Sequence, residues 1–252
     1  MKRLLSLYVV AAYGFLYLPL AVLAAFSFND SRFTVWQGFS FRWYQAAFTN
    51  PQLTGGAATS LFIAVFSTLF ATAAGTLCAY ALWKRNSRRV TTTLYLSLVT
   101  PEIVLGVALL AFYQLVLGSI GSRLGTVTVI LAHITFSLAY VVVVVLARLR
   151  TIDRSLEEAA LDLGANEWQA FRRVTLPLLL PGVGAAALLA FTISFDDYVI
   201  TSLVAGVDSE TLPMVIYAMA RRGIRPEVNA ISAVIVTVLG TLILLSERWN
   251  RT

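Results

Sequence analysis

Long uncharged runs alternate with short charged ones along this chain. Six runs reach the roughly 20 apolar residues that a helix needs to cross a bilayer. Leu4–Phe28 turns polar at Asn29-Asp30, and Ala57–Trp83 stops at Lys84-Arg85. Val90–Leu117 is apolar except for Glu102, and Leu124–Leu146 holds only His133 before closing on Val141–Val145. Leu178–Val204 contains Asp196 and Asp197, and Val228–Ser246 stops at Glu247-Arg248. The pattern predicts an all-α polytopic membrane protein with six spans. Lys2-Arg3 before an apolar run also opens secretory signals, but their core is only about 7–15 residues. The first run is longer and reads as a retained anchor.

Lys and Arg concentrate in cytoplasmic loops. With the N-terminus inside, that side holds Lys2, Arg3, Lys84, Arg85, Arg88, Arg89, Arg148, Arg150, Arg154, Arg172, Arg173, Arg248 and Arg251. The outside then holds only Arg32, Arg42, Arg123, Arg221, Arg222 and Arg225. Both termini are therefore predicted to be cytoplasmic. The outer segment 29–56 carries Phe33, Trp36, Phe39, Phe41, Trp43 and Tyr44, which suits the headgroup level. The outer segment 205–227 includes Met214–Ala220, too short to span. No linker, internal repeat or second domain stands out, so residues 1–252 read as one transmembrane domain.

Composition agrees. The chain of 252 residues is 58% hydrophobic and 13% charged, against about 25% charged for a soluble domain. One cysteine excludes a disulfide scaffold, and one Cys with one His excludes a clustered zinc site. The net charge of +6 follows from the basic inner loops and does not call for nucleic acid.

The inner loop carries the strongest signal. Leu156, Ala159, Ala160 and Leu163 recur at the spacing of one helical face, with Asp153 as N-cap and Glu157, Glu158 and Asp162 in the early turns. Gly164 can close this helix in the left-handed conformation. Asn166-Glu167 start a second helix with Trp168 and Phe171 on one side and Arg172 and Arg173 in its last turn. Pro177 and Pro181 stop that run. Such an elbow also suits lipid headgroups, but its acidic first helix is repelled by anionic lipid, and a protein partner fits better.

The spacing here resembles the signature loop of importer-type ABC permeases. Glu158-Ala159-Ala160 is followed by Gly164, then Val174, Leu176 and Pro177, with Val174 where Ile is usual. The resemblance implies the type I importer permease fold and a loop that docks in a cleft of a separate ATPase. Glu158, Ala159, Ala160, Gly164, Leu176 and Pro177 are the coupling residues it implies. ATP and Mg would sit on that ATPase, since neither Lys2 nor Lys84 belongs to a P-loop pattern.

Ionisable groups inside a span are costly. Glu102 lies roughly 18 Å deep, at 1.5 Å per residue, beside Pro101, which can kink the helix. Asp196 and Asp197, adjacent on a helix, point about 100° apart, so one can line a path while the other bonds within the bundle. Glu102, Asp196, Asp197 and the aromatic Tyr198 suit a path for a cation. The same acids equally suit capping broken helices or pairing with arginines of another subunit. His133 reads as an interhelix contact rather than a proton relay, and Cys78 as packing. No nucleophile–base pair is present, so the chain reads as a transport component and not an enzyme.

A narrower resemblance joins Ser194-Phe195-Asp196-Asp197, Thr211-Leu212-Pro213, Arg225-Pro226-Glu227-Val228-Asn229-Ala230, Pro101-Glu102-Ile103-Val104 and Ser27-Phe28-Asn29. Together they resemble the second permease of spermidine/putrescine ABC importers. That implies a heterodimer with a paralogous permease, two ATPase copies, an extracytoplasmic binding protein and a small cationic solute, in the bacterial inner membrane. Permeases for aminoalkylphosphonates, iron or thiosulfate share much of the pattern. An ion-coupled secondary transporter is the rival from another class.

Overall fold

A computed structural model describes residues 2–251 apart from Phe33, Thr34, Asn86 and Ile224. Of the groups used above for topology, Phe33 and the side chains of Lys2, Arg3, Arg88, Arg248 and Arg251 lie outside the described set. The elements in order are α1 (Lys2–Phe26), α2 (Arg42–Thr49), α3 (Pro51–Arg85), α4 (Arg88–Val99), α5 (Glu102–Ile120) and α6 (Thr126–Leu149). Then come α7 (Ser155–Asp162), α8 (Glu167–Ala170), a π-helical turn (Phe171–Thr175), α9 (Leu176–Asp196), α10 (Val199–Val204), α11 (Leu212–Arg221) and α12 (Pro226–Arg251). Five described helices are long and apolar enough to cross a bilayer: Leu4–Phe26, Pro51–Arg85, Glu102–Ser119, Thr126–Leu149 and Glu167–Asp196. The sixth apolar run falls within α12, whose described apolar part is Pro226–Leu242.

The chain divides into two compact units, Met1–Gly56 with Met214–Leu242 and Ala57–Pro213 with Ile243–Thr252. In the first, the segment after α1 folds on an aromatic knot. The Phe28 ring stacks on Phe39 at 5.0 Å and meets Phe41 edge-on at 5.4 Å. The buried Asn29 carbonyl accepts from Trp43 Nε1 at 2.7 Å, and its side chain accepts from the Gln37 N–H at 2.9 Å.

The second unit is built around α6. Its run Val141, Val142, Val145, Leu146 and Leu149 is buried against Ala71, Ala79, Leu82 and Trp83 of α3 and Leu179, Ala186 and Ala190 of α9. Further along, Val129, Ala132 and Phe136 pack with Ile63, Tyr113, Ile200 and Val204. Small residues let these backbones approach, as is usual between helices in lipid. A Cβ on Gly75 would lie 2.6 Å from Val141 Cγ1.

Three expectations need correction here. The third span, 90–117, is two helices: the chain breaks at Thr100-Pro101, because proline lacks an N–H and forces the preceding residue out of the α region. The fifth, 178–204, breaks at Asp197-Tyr198, where Asp197 takes an extended conformation (φ −66°, ψ 126°). Pro177 and Pro181 do not stop the helix before it: α8, the π-helical turn and α9 run on continuously, with Pro177 just after the π-helical turn and Pro181 inside α9.

Gly75→Ala overpacks the α3–α6 crossing and is expected to cost about 1–3 kcal/mol, seen as a lower apparent Tm in detergent. Gly118→Ala, with open space around it, is expected to leave the Tm unchanged or raise it.

Candidate functional site

Two places carry chemistry: the elbow between α6 and α9, and a cavity where the two broken helices meet. In the elbow, α7 closes as the spacing predicts. Gly164 sits at φ +89°, the Gly164 N–H donates to the Leu161 carbonyl at 2.9 Å, and the Ala165 N–H donates to the Ala160 carbonyl at 3.1 Å. This pair of bonds is the Schellman closure, which needs a left-handed residue. At the other end, Asp153 is not the N-cap; Arg154 is, and Asp153 Oδ1 accepts from the Ser155 N–H at 3.0 Å. That bond holds the exposed Asp153 carboxyl below the usual range. Asn166 and Gln169 form a reciprocal capping box that starts α8, at 2.8 and 3.0 Å. Arg172 and Arg173 lie in the last turn of the π-helical segment that continues α8.

Glu158, Ala159, Gly164 and Pro177 are exposed, and Ala160 and Leu176 are half-buried. Around them Leu163 is 90% and Trp168 61% exposed, a concentration of apolar surface on a loop that the charge pattern puts outside the membrane. Glu157, next to Glu158 and not singled out by the spacing, is buried, with 3% of its surface exposed. Glu157 Oε1 meets Lys84 Nζ at 2.5 Å and accepts from Tyr80 Oη at 2.7 Å, while Oε2 accepts from Thr175 Oγ1 at 3.1 Å. Burial alone would push this carboxyl up, but the bond from Lys84, then Tyr80, the lysine's charge and Thr175 together outweigh it. The group is held below its ordinary value of 4.5. Arg154 lies over the Trp83 ring at 4.7 Å and donates to the Trp83 carbonyl.

The cavity, about 340 Å³, is lined by Ser97, Leu98 and Thr100 before the first break, and by Glu102 and Leu105 after it. Phe136 and Tyr140 of α6, Ile193 and Asp196 of α9, and Asp197, Tyr198, Val199 and Ile200 across the second break complete it. The four residues singled out for a path, Glu102, Asp196, Asp197 and Tyr198, thus share one cavity. They are not equivalent. Asp197 Oδ2 accepts from the Thr201 N–H and Thr201 Oγ1, both at 2.7 Å, and lies 3.5 Å from His133 Nε2. Among the described residues, the Glu102 and Asp196 side chains make no hydrogen bond or ion pair, and Glu102 opens α5 as its first residue.

His133 is fully buried and joins three helices. Its Nδ1 lies 2.7 Å from Ser194 Oγ and its Nε2 2.9 Å from Thr201 Oγ1, and Ser194 Oγ lies 2.9 Å from Ser67 Oγ of α3. Thr201 has one hydroxyl proton and gives it to Asp197, so Nε2 carries the proton it donates to Thr201. His133 is an interhelix contact, as its isolation suggested. The polar Ser194, Asp197 and Thr201 inside an otherwise apolar run were the available signal for this network; nothing local pointed to Ser67.

Long apolar helices, an exposed elbow and a polar cavity at helix breaks define a multi-pass transport component. The chain belongs to the family of binding-protein-dependent transport system inner membrane components, whose model matches residues 71–251. It is thus an ABC-importer permease subunit of the inner membrane. It is 40% identical over 244 residues to the spermidine/putrescine transport system permease protein PotC of Escherichia coli (strain K12), covering 95% of this chain and 91% of that protein. It is 39% identical over 235 residues to the putrescine transport system permease protein PotI of the same strain, covering 90% and 84%. The fold is shared with a chain of a bacterial ABC transporter involved in the import of the acidic polysaccharide alginate (TM-score 0.76, 20% identity, 99% and 96% covered). It is also shared with one of the inward-facing MetNI methionine ABC transporter (TM-score 0.67, 21% identity, 79% and 94% covered).

Glu157 has a depressed carboxyl, so its stabilising effect is complete above the ordinary value and is lost as pH falls through the lower folded value. Glu157→Gln should therefore lower stability at neutral pH by about 2 kcal/mol, less than the ~3–5 of a fully buried pair because Lys84 is a third exposed. In detergent melts between pH 7 and 3, the gap between the two proteins should close toward the acid end.

Proposed function

We propose that this chain is the permease half of an ATP-driven importer for small polyamine cations such as putrescine and spermidine. The observation that carries the substrate reading is the cavity with Glu102 and Asp196 in its wall and no basic residue among the described residues that line it. Two carboxylates left without a counter-charge favour a ligand that brings positive charge. Tyr140, Tyr198 and Phe136 in the same wall add ring faces for ammonium groups. The identity to permeases named for spermidine and putrescine points the same way.

In this reading the chain spans the membrane six times, with both termini in the cytoplasm. It pairs with a paralogous permease, receives solute from an extracytoplasmic binding protein and docks two ATPase subunits that carry ATP and Mg. The chain itself catalyses nothing. Its elbow offers Glu158 as a charge, Ala159 and Ala160 as a close-approach surface and Gly164 as the fixed angle between α7 and α8. Leu176 and Pro177 lead back into α9. Closure of the ATPases shifts the elbow and, through it, the helices around the cavity.

The test is uptake of radiolabelled putrescine by the reconstituted importer. Glu102→Gln and Asp196→Asn should each lower uptake roughly 10-fold, the worth of about 1.4 kcal/mol. Normal uptake by both variants would make these acids structural. Gly164→Val puts a branched residue at positive φ and should release the ATPase subunits on co-purification; retained ATPase with full uptake would remove the elbow from the coupling path.

A further inference from the structure

The covalent chain ties the elbow to α6 and α9, yet its most buried polar contacts go elsewhere. The cytoplasmic end of α3 grips both halves of it. Lys84 and Tyr80 hold one carboxylate oxygen of Glu157 on α7, while Thr175 of the π-helical turn holds the other. Arg154 lies over Trp83, and the Tyr80 ring packs on Phe171 at 4.5 Å. With both oxygens engaged and the side chain buried, the Glu157 carboxylate has no room to swing. The joint therefore resists relative displacement of α3, α7 and the turn.

We infer that α3 is a direct recipient of the stroke delivered to the elbow, and that Glu157 is the positioning residue through which it passes. This rests on the reading that the elbow docks an ATPase. The same helix reaches the cavity's supporting network at Ser67, which meets Ser194. Ser67 lies 17 residues from Lys84, or roughly 25 Å along a helix at 1.5 Å per residue. A helix is stiff over that distance, so a push at Lys84 arrives at the α9–α10 joint from a second side. Contiguous packed elements of this kind carry coupling between distant sites. Glu158, one residue on, is exposed and serves a different end: it faces the partner, while Glu157 faces the chain's own bundle.

The test needs no knowledge of the solute. The complete importer complex is assembled with this chain in a Cys78→Ala background and spin-labelled at Leu61→Cys on α3 and Val127→Cys on α6, both exposed. The distance between the labels is read without nucleotide and with ATP and vanadate. The parent protein should show a shift on ATP trapping. Glu157→Gln should keep its ATPase subunits on co-purification and lose most of the shift. Lys84→Glu combined with Glu157→Lys should recover part of it, which a merely destabilised fold would not do. Thr175→Val, nearly isosteric, removes one bond and should give an intermediate loss; it decides the matter should Glu157→Gln fail to fold.

A full shift in Glu157→Gln, or in Thr175→Val where that variant decides, overturns the inference and leaves the docking reading intact. Release of the ATPase by Glu157→Gln, with Thr175→Val showing the full shift, also overturns it, by making Glu157 a docking residue. An unmodified chain that holds no ATPase, or shows no shift, removes the docking reading or the stroke itself, and the inference with it.

Discussion

A peptide group at membrane depth has no water to pair with, so helices that cross a bilayer can be interrupted only where protein or a polar cavity satisfies the freed groups. This chain interrupts two of its apolar runs, at Thr100-Pro101 and at Asp197-Tyr198. Both interruptions line the same cavity. At the first, Thr100 N–H still reaches the Leu96 carbonyl at 3.1 Å, and Pro101 contributes no N–H that needs a partner. At the second, a side chain stands in for the missing backbone: Asp197 accepts from the Thr201 N–H and its hydroxyl. His133 then pins Thr201 and Ser194 to α6. Both breaks thus border one cavity, with Phe136 and Tyr140 of α6 in the same wall.

That arrangement divides the work between two neighbouring acids. Asp197 is consumed by the joint, since its oxygens are engaged by Thr201 and it lies beside His133. Asp196 ends α9 one residue earlier and lines the cavity, as does Glu102 at the start of α5. A similar division holds in the elbow. Glu157 is bound inward to Lys84, Tyr80 and Thr175, while Glu158 is left at the surface. In each pair one acid organises the fold so that the other is held at a defined place.

The elbow is rigid for reasons that are mostly local. A Schellman closure at Gly164 and a capping box at Asn166-Gln169 set the turn between α7 and α8 within a few residues. Its attachment to the bundle is not local: Tyr80, Trp83 and Lys84 lie more than 70 residues before their partners. Local caps give the elbow its shape, and long-range contacts aim it. Exposed Leu163 and Trp168 then form an apolar surface on a loop, as expected where a partner protein covers it.

The apolar runs, the placement of basic residues, the elbow with its left-handed glycine and the family pattern were all legible in the order of residues, because each rests on local periodicity, capping chemistry or spacing. The shared cavity of Glu102 and Asp196 was foreshadowed only as isolated acids in apolar runs, since charge in lipid demands an explanation wherever it occurs. That Pro177 and Pro181 would lie inside a continuous helix was not legible, because proline ordinarily breaks the hydrogen-bond ladder and nothing in the local order of residues announces the π-helical turn that precedes Pro177. Which of Asp196 and Asp197, or of Glu157 and Glu158, turns inward was decided by tertiary structure alone. Adjacent residues share composition and depth, and only the positions of His133, Thr201, Lys84 and Thr175, brought from elsewhere in the chain, make one member of each pair cheaper to bury than the other.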